Sequence, residues 1–300
     1  MRLRLAASLV ATLAASATSS AAAETPPDRA AVAAVAPVRP FSPAGIDVGV
    51  SSAVLLSDRS SDFGRATIFA ARASYAISDY RVFGRLAVAS ASSFSGDSGV
   101  AFANPVLGGA MTLPSYGALE SSASLSVALP VGTGGADDST RGVRQAAQRG
   151  TALGGRPFDV DYISFSLSGD STYRSGIASV QVRAAITPAL LLRGVRETRD
   201  FSKVSLFTAL RLGVSTTNTK DNALTVFAEG RVFAWITTPA DVARDSTQRE
   251  ELYGGGGLRL AMRVNATSEL VATAAYFRAA DAPLANIGFS VGELDIGLTF

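Results

Sequence analysis

Charged side chains recur in this chain at every second position of stretches that are otherwise apolar or small. Asp47, Arg72, Arg85, Glu120, Arg183, Arg211, Glu229, Arg231, Arg259, Arg263, Glu293 and Asp295 all fall in such frames. Guanidinium and carboxylate groups can pair, repel and sort ions, but an arginine never gives up its proton near neutrality. The sequence has no histidine, which removes the usual general base, the usual proton shuttle and the commonest metal ligand. It has no cysteine either, so disulfides and thiolate metal sites are out of reach. Its lysines, Lys203 and Lys220, complete no Ser-x-x-Lys motif. Gly132-Thr133-Gly134-Gly135 matches neither the P-loop nor the dinucleotide fingerprint. The expectation is therefore a chain with no catalytic residues, no metal and no cofactor, whose charges act by position. A net charge of +2 with basic residues spread along the chain gives no footprint for nucleic acid.

The elements that would hold these charges read as strands. Val291–Phe300 sets Leu294, Ile296, Leu298 and Phe300 on one face and Glu293, Asp295, Gly297 and Thr299 on the other. The same alternation predicts strands over 45–56, 65–77, 81–90, 102–113, 118–130, 161–169, from 176, 203–214, 223–236, 255–264 and 270–280, with Pro105 interrupting the fourth and Pro188 obscuring the end of the seventh. The 118–130 stretch is the clearest, with Leu119, Ala123, Leu125, Val127 and Leu129 opposite Glu120, Ser122, Ser124 and Ser126. Short turns are expected near Ser78, Pro114, 170–175, Asn218 and Ala266, and longer loops at the other ends, above all 131–160.

One face of every strand is apolar, although 47% of residues are hydrophobic, only 17% are charged and mean hydropathy is +0.25. That is apolar for a water-soluble domain. Residues 1–23 have Arg2 and Arg4, an apolar run and a small-residue end at Ala21-Ala22-Ala23, the pattern of a secretory signal cleaved after Ala23. Residues 24–44 are rich in Ala, Pro and Val and read as a flexible periplasmic arm. The uncharged stretch 98–119 is broken by Asn104, Pro105 and Pro114, so it divides into strands and a turn and leaves no spanning helix after the signal.

An exported apolar chain without spanning helices points to an all-β transmembrane antiparallel up-and-down barrel of about twelve strands over 45–300, in the bacterial outer membrane with both termini periplasmic. A soluble β-sandwich or lectin-like domain is the competing fold. In the barrel, the charged face turns into the lumen. Asp47, Glu293 and Asp295 would meet at the closing seam, with arginines on its flanks. These charges either form an eyelet that sieves solutes or a salt-bridged network that fills the barrel. The 131–160 loop folds inward as a constriction or stays on the surface, where its arginines would meet lipopolysaccharide. Trp235 reads as an interface anchor although its parity points inward; a bulge near Phe233 would reconcile the two.

The final strand, ending on Phe300, resembles the C-terminal signature that outer-membrane barrels present to the barrel assembly machinery. The segment SLSVALPVGTG at 124–134, with Asn104-Pro105 and Gly108-Gly109 upstream, looks like the transporter-like outer-membrane family of the MetA pathway of phenol degradation. Val131 departs from that family's usual Leu-Pro-Thr-Gly. The resemblance implies a channel for passive passage of small solutes, hydrophobic or aromatic ones included, and carries over no binding residues. A closed barrel working through its outer loops remains the alternative function. Expected partners are outer-membrane lipid and lipopolysaccharide, the assembly machinery and a small-molecule solute.

Overall fold

The computed structural model describes residues 44–57, 65–92, 98–133, 143–144, 147, 157–193, 200–219, 222–244, 246–281 and 284–300. The signal segment 1–23, the arm up to residue 43 and much of the 131–160 loop lie outside them.

Thirteen strands are found among the described residues. They are β1 Ala44–Leu56, β2 Arg65–Ile77, β3 Tyr80–Ser92, β4 Ser98–Phe102, β5 Val106–Tyr116, β6 Leu119–Ala128, β7 Tyr162–Ser175, β8 Ala178–Leu191, β9 Ser202–Thr219, β10 Asn222–Trp235, β11 Glu250–Arg263, β12 Glu269–Ala279 and β13 Ser290–Thr299. All pairings are antiparallel, and β1 pairs with β13, so the sheet closes on itself. β4 and β5 both pair with β3, β4 along Val88–Ser92 and β5 along Tyr80–Arg85. They are two halves of one stave, broken at Ala103-Asn104-Pro105, so the barrel has twelve staves, as the alternation predicts. Pro105 has no N–H to give a ladder, which is why the stave breaks there.

Closure rules out the soluble sandwich, because the apolar face is on the outside. Val50, Phe69, Leu86, Leu107, Leu125, Leu167, Leu212, Val226 and Leu258 are all exposed. Aromatic rings bracket this belt. Tyr75, Tyr80, Tyr116 and Tyr173 sit close to the short turns and Phe69, Phe102, Phe165 and Tyr276 towards the loop ends, all exposed, as the two girdles of a membrane barrel would be. Leu258→Arg, midway along β11, should cost about 2–4 kcal/mol of folding free energy in lipid, because the charge would sit at the bilayer midplane. Urea titration in liposomes would measure it; an unchanged midpoint would mean that Leu258 does not face lipid.

Several predicted boundaries move. Residues 170–175 are strand, not turn: Asp170, Thr172 and Arg174 lie on the inner face and pair in register with Arg183, Gln181 and Ser179. The polar composition that suggests a turn is that of a lumen face. The true turn is Gly176-Ile177, with Gly176 at φ 57°, and its counterpart after β5 is Gly117-Ala118, with Gly117 at φ 59°, rather than the Pro114 segment. Such positive φ values suit glycine. β9 runs on to Thr219, and the segment 237–252 holds a short helix at Ala240–Arg244 before β11 begins at Glu250. Pro188 lies within β8, facing outward where pairing to β7 skips Thr187 and Pro188, so its missing donor breaks no ladder bond to that strand.

At the loop end the side of the interior under β1–β3 and β11–β13 is apolar and buried. Inward Leu55, Ala66, Ile68, Ala89, Tyr253, Phe277 and Val291 pack with Val143, Ala147 and Phe158 of the long loop and with Leu284 and Phe289. Val143, Ala147 and Phe158 of the 131–160 loop therefore fold inward, as the first of its two alternatives expects.

Candidate functional site

Below that apolar layer the inner face is charged. Every second position from the strand pattern puts Asp47, Arg72, Arg85, Glu120, Arg183, Arg211, Glu229, Arg231, Arg259, Arg263, Glu293 and Asp295 on it. The seam carboxylates do not stand apart as an acidic stripe; each is met by an arginine. Arg72 forms a bidentate pair with Asp295, Arg81 reaches Asp47 at 3.0 Å, and Arg231 grips Glu293 at 2.7 and 2.8 Å. Such fork-to-fork pairs are the strong form of the interaction.

Arg72 can lie flat because its neighbours are glycines. A Cβ at Gly49 or Gly297 would come within 2.8 Å of the guanidinium. The small residues opposite the apolar ones in β1 and β13 are thus the bed on which this side chain rests. Gly49→Leu should push Arg72 off Asp295 and expose both charges. The expected signature is a changed ion preference in bilayers, together with a destabilisation of about 1–3 kcal/mol from overpacking; an unaltered preference and stability would show that Arg72 has room to move.

The second cluster is centred on Glu229, whose side chain is fully buried. It accepts from Arg183 at 2.6 Å, Arg211 at 2.5 Å and Arg231 at 2.6 Å. Two of these guanidiniums also stack on lumen rings, Arg211 over Phe227 at 4.0 Å and Arg231 over Phe277 at 3.5 Å. Glu120 is held by Arg174 at 2.8 Å, nearer the turn end. Arg259 carries no ion pair or hydrogen bond among the described residues. These groups enclose a cavity of about 290 Å³ in mid-barrel, lined by Arg72, Arg85, Arg183, Arg211, Arg231 and Arg259 with Glu293 and Asp295, and topped by Ala53, Ile68 and Ala70.

Sequence reading left Arg81, Asp170, Arg174 and Glu269 out of the charged inner set. Parity with Phe83 and Arg85 marks Arg81, but it stands beside a turn. Asp170 and Arg174 were hidden by the turn assigned to their segment. Trp235 needs a correction: no register shift occurs near Phe233, and Trp235 pairs with Ser205 on the inner face. There it meets Phe233 edge-to-face at 5.6 Å and lies 5.6 Å from the Lys203 ammonium, which sits 3.8 Å over Tyr162 and pairs with Asp159 at 2.9 Å. Parity was the correct signal; the habit of placing Trp at an interface misled.

Pro130, Gly132 and Thr133 of SLSVALPVGTG converge with Asn104-Pro105 on the stave break. The buried Asn104 amide donates to Asp159 O at 3.0 Å and Tyr162 O at 3.1 Å and accepts from Gly132 N–H at 2.9 Å. Thr133 pairs with Phe102 through both its N–H and its hydroxyl, and Arg193 donates to the carbonyls of Pro130 and Gly132. A Cβ at Gly132 would meet Phe102 O and Val160 at 2.6 Å. These residues pin both ends of the inserted loop. Arg144 of that loop is turned inward to Asp161 at 3.8 Å rather than out to a surface partner.

The chain matches no protein-family model and no curated protein by sequence. Among solved structures it is similar to an outer membrane channel from Pseudomonas putida F1, at 11% identity and a TM-score of 0.53 over 87% of this chain and 97% of that one. It is also similar to the translocator domain of autotransporter NalP from Neisseria meningitidis, at 9% identity and a TM-score of 0.52, covering 88% and 90% of the two chains. The β domain of the Bordetella autotransporter BrkA gives 10% identity and 0.52, covering 86% and 99%. The fold is that of outer-membrane β-barrels.

Proposed function

We propose that this barrel sits in the bacterial outer membrane, with its short turns periplasmic and its loops outside, and passes small solutes passively. The observation that carries this reading is the mid-barrel cavity. A purely structural barrel of this width would fill its lumen with side chains, whereas here small inward residues, Ser51, Ala53, Ala70 and Ala275, leave about 290 Å³ open between charged walls. The absence of histidine and cysteine supports a conduit rather than a catalyst. Lipid on the outer belt, lipopolysaccharide around the loops and the barrel assembly machinery reading the strand that ends at Phe300 are the partners this placement implies. Phe300 is exposed, and its N–H bonds to Ile46 O at 2.9 Å, which ties that end to the first strand.

A closed barrel acting through its loops has a specific observation in its favour: the ion pairs are matched in depth and the loop end is plugged by apolar contacts. Single-channel recording of the refolded protein in a planar bilayer separates the two. Steady openings whose reversal potential shifts in Arg211→Ala establish the conduit. A silent membrane containing heat-modifiable, folded barrel establishes the closed one.

A further inference from the structure

We infer that the mid-barrel cavity is a binding station for a small organic anion with an apolar body, a monocarboxylate rather than a neutral molecule or a cation. This rests on the conduit reading above and names the solute class it would serve.

The charge of the cavity wall favours an anion. Leaving Arg85 aside, five guanidiniums line the cavity, those of Arg72, Arg183, Arg211, Arg231 and Arg259. The described carboxylates that meet them are Asp295, Glu293 and Glu229, and the single charge of Glu229 is divided among three arginines. Asp170 and Glu269 also act on Arg183 and Arg259, and with these and Arg85 counted one positive charge is left over within a wall surrounded by hydrocarbon. Surplus charge inside a membrane is costly, and low-dielectric walls focus its field into the cavity, so a mobile anion entering there is strongly favoured. Arg259 is the natural first contact, because it spends no hydrogen bond on a protein carboxylate.

Shape supplies the second half. The cavity is not polar all round. Ala53, Ile68 and Ala70 belong both to the cavity wall and to the apolar layer, and Arg72 follows Ala70 towards the short turn along the inner face of β2. A hydrated inorganic ion would leave that roof unsatisfied, and an uncharged hydrocarbon would leave the guanidiniums without an acceptor. A carboxylate on a compact apolar body meets both, with its planar head matched to a guanidinium fork. The volume suits a molecule of that size, near the lower end of the roughly 300–1,000 Å³ range of small-molecule sites.

The test uses the full-length refolded protein with benzoate, its neutral counterpart benzamide, and acetate as the anion lacking an apolar body. Calorimetry in detergent and single-channel recording are run in parallel. The expected results are anion-selective current, interruption of that current by benzoate at concentrations where benzamide and acetate have no effect, and benzoate binding weakened about tenfold in Arg259→Gln, the loss expected when one charge-assisted hydrogen bond is removed. Arg259→Lys, which keeps the charge but loses the fork, should retain the selectivity and weaken binding less, so an Arg259→Gln barrel that fails to fold does not end the test. Current that benzoate and benzamide affect equally, or that prefers cations, overturns the anion station while the conduit stands. Benzoate binding by a folded barrel that carries no current overturns the conduit and leaves the station.

Discussion

Glu229→Gln should destabilise the barrel more than any other single isosteric change in its lumen, by about 3–5 kcal/mol, the cost of removing one partner from a buried charge cluster. Glu229 is fully buried, and Arg183, Arg211 and Arg231 all converge on it. Glutamine keeps the volume but can neither neutralise nor accept equally from three cations. Arg231, whose side chain is only 2% exposed, keeps Glu293 as a partner; Arg183 and Arg211 are left with Asp170, to which neither is hydrogen-bonded, as their countercharge. The midpoint of urea unfolding in liposomes and the temperature at which the folded band is lost on gels should both fall. Selectivity should move the opposite way to stability, since the lumen gains a net positive charge and any current should become more anion-selective. A variant as stable as the parent would mean that water, rather than Glu229, compensates these arginines.

Asn104→Leu should release the loop that folds into the barrel. The Asn104 amide serves three buried backbone groups, the carbonyls of Asp159 and Tyr162 and the N–H of Gly132. Leucine is of similar size and strands all three, at about 1–3 kcal/mol for each group left without a partner. Some will recover partners by moving, and that movement is the predicted effect: the 131–160 segment should withdraw from the apolar layer that Phe158, Val143 and Ala147 help to build. Conductance should rise several-fold, because a dry apolar layer is a barrier to ions and a wetted one is not. Limited proteolysis should cut the segment in the variant and spare it in the parent. Unchanged conductance with a cleaved segment would place the constriction in the arginine layer instead.

The two variants probe the two layers of the lumen, and these layers differ in how visible they are in the sequence. The charged layer follows from a period of two. Once lipid is identified as the solvent of the apolar face, Arg72, Glu229 or Asp295 can only point inward, and a strand pattern gives that direction without knowledge of any neighbour. Closure of an even number of strands follows as well, since open edges cannot persist in hydrocarbon. Where local composition disagreed with parity, parity was the better guide. Arg174 belongs to a strand despite its polar surroundings, and Trp235 faces inward despite its residue type.

Partner choice was not legible in the same way. That Arg72 crosses two glycines to reach Asp295, that Glu229 gathers three arginines, and that Arg259 gathers none depend on barrel closure and on the stagger between staves, which relate residues up to 223 positions apart. The apolar layer was hidden for a related reason. Leu55, Ile68 and Val291 occupy inward positions that a water-filled lumen would make polar, and they are satisfied only because Phe158 and Phe289 arrive from distant loops to cover them. By itself the sequence determined the strands, their faces and the medium each face meets, because those are set by local alternation. Only the tertiary structure decided which charges cancel, where the cavity lies and what seals it, because packing and ion pairing act between neighbours that the chain brings together only by closing.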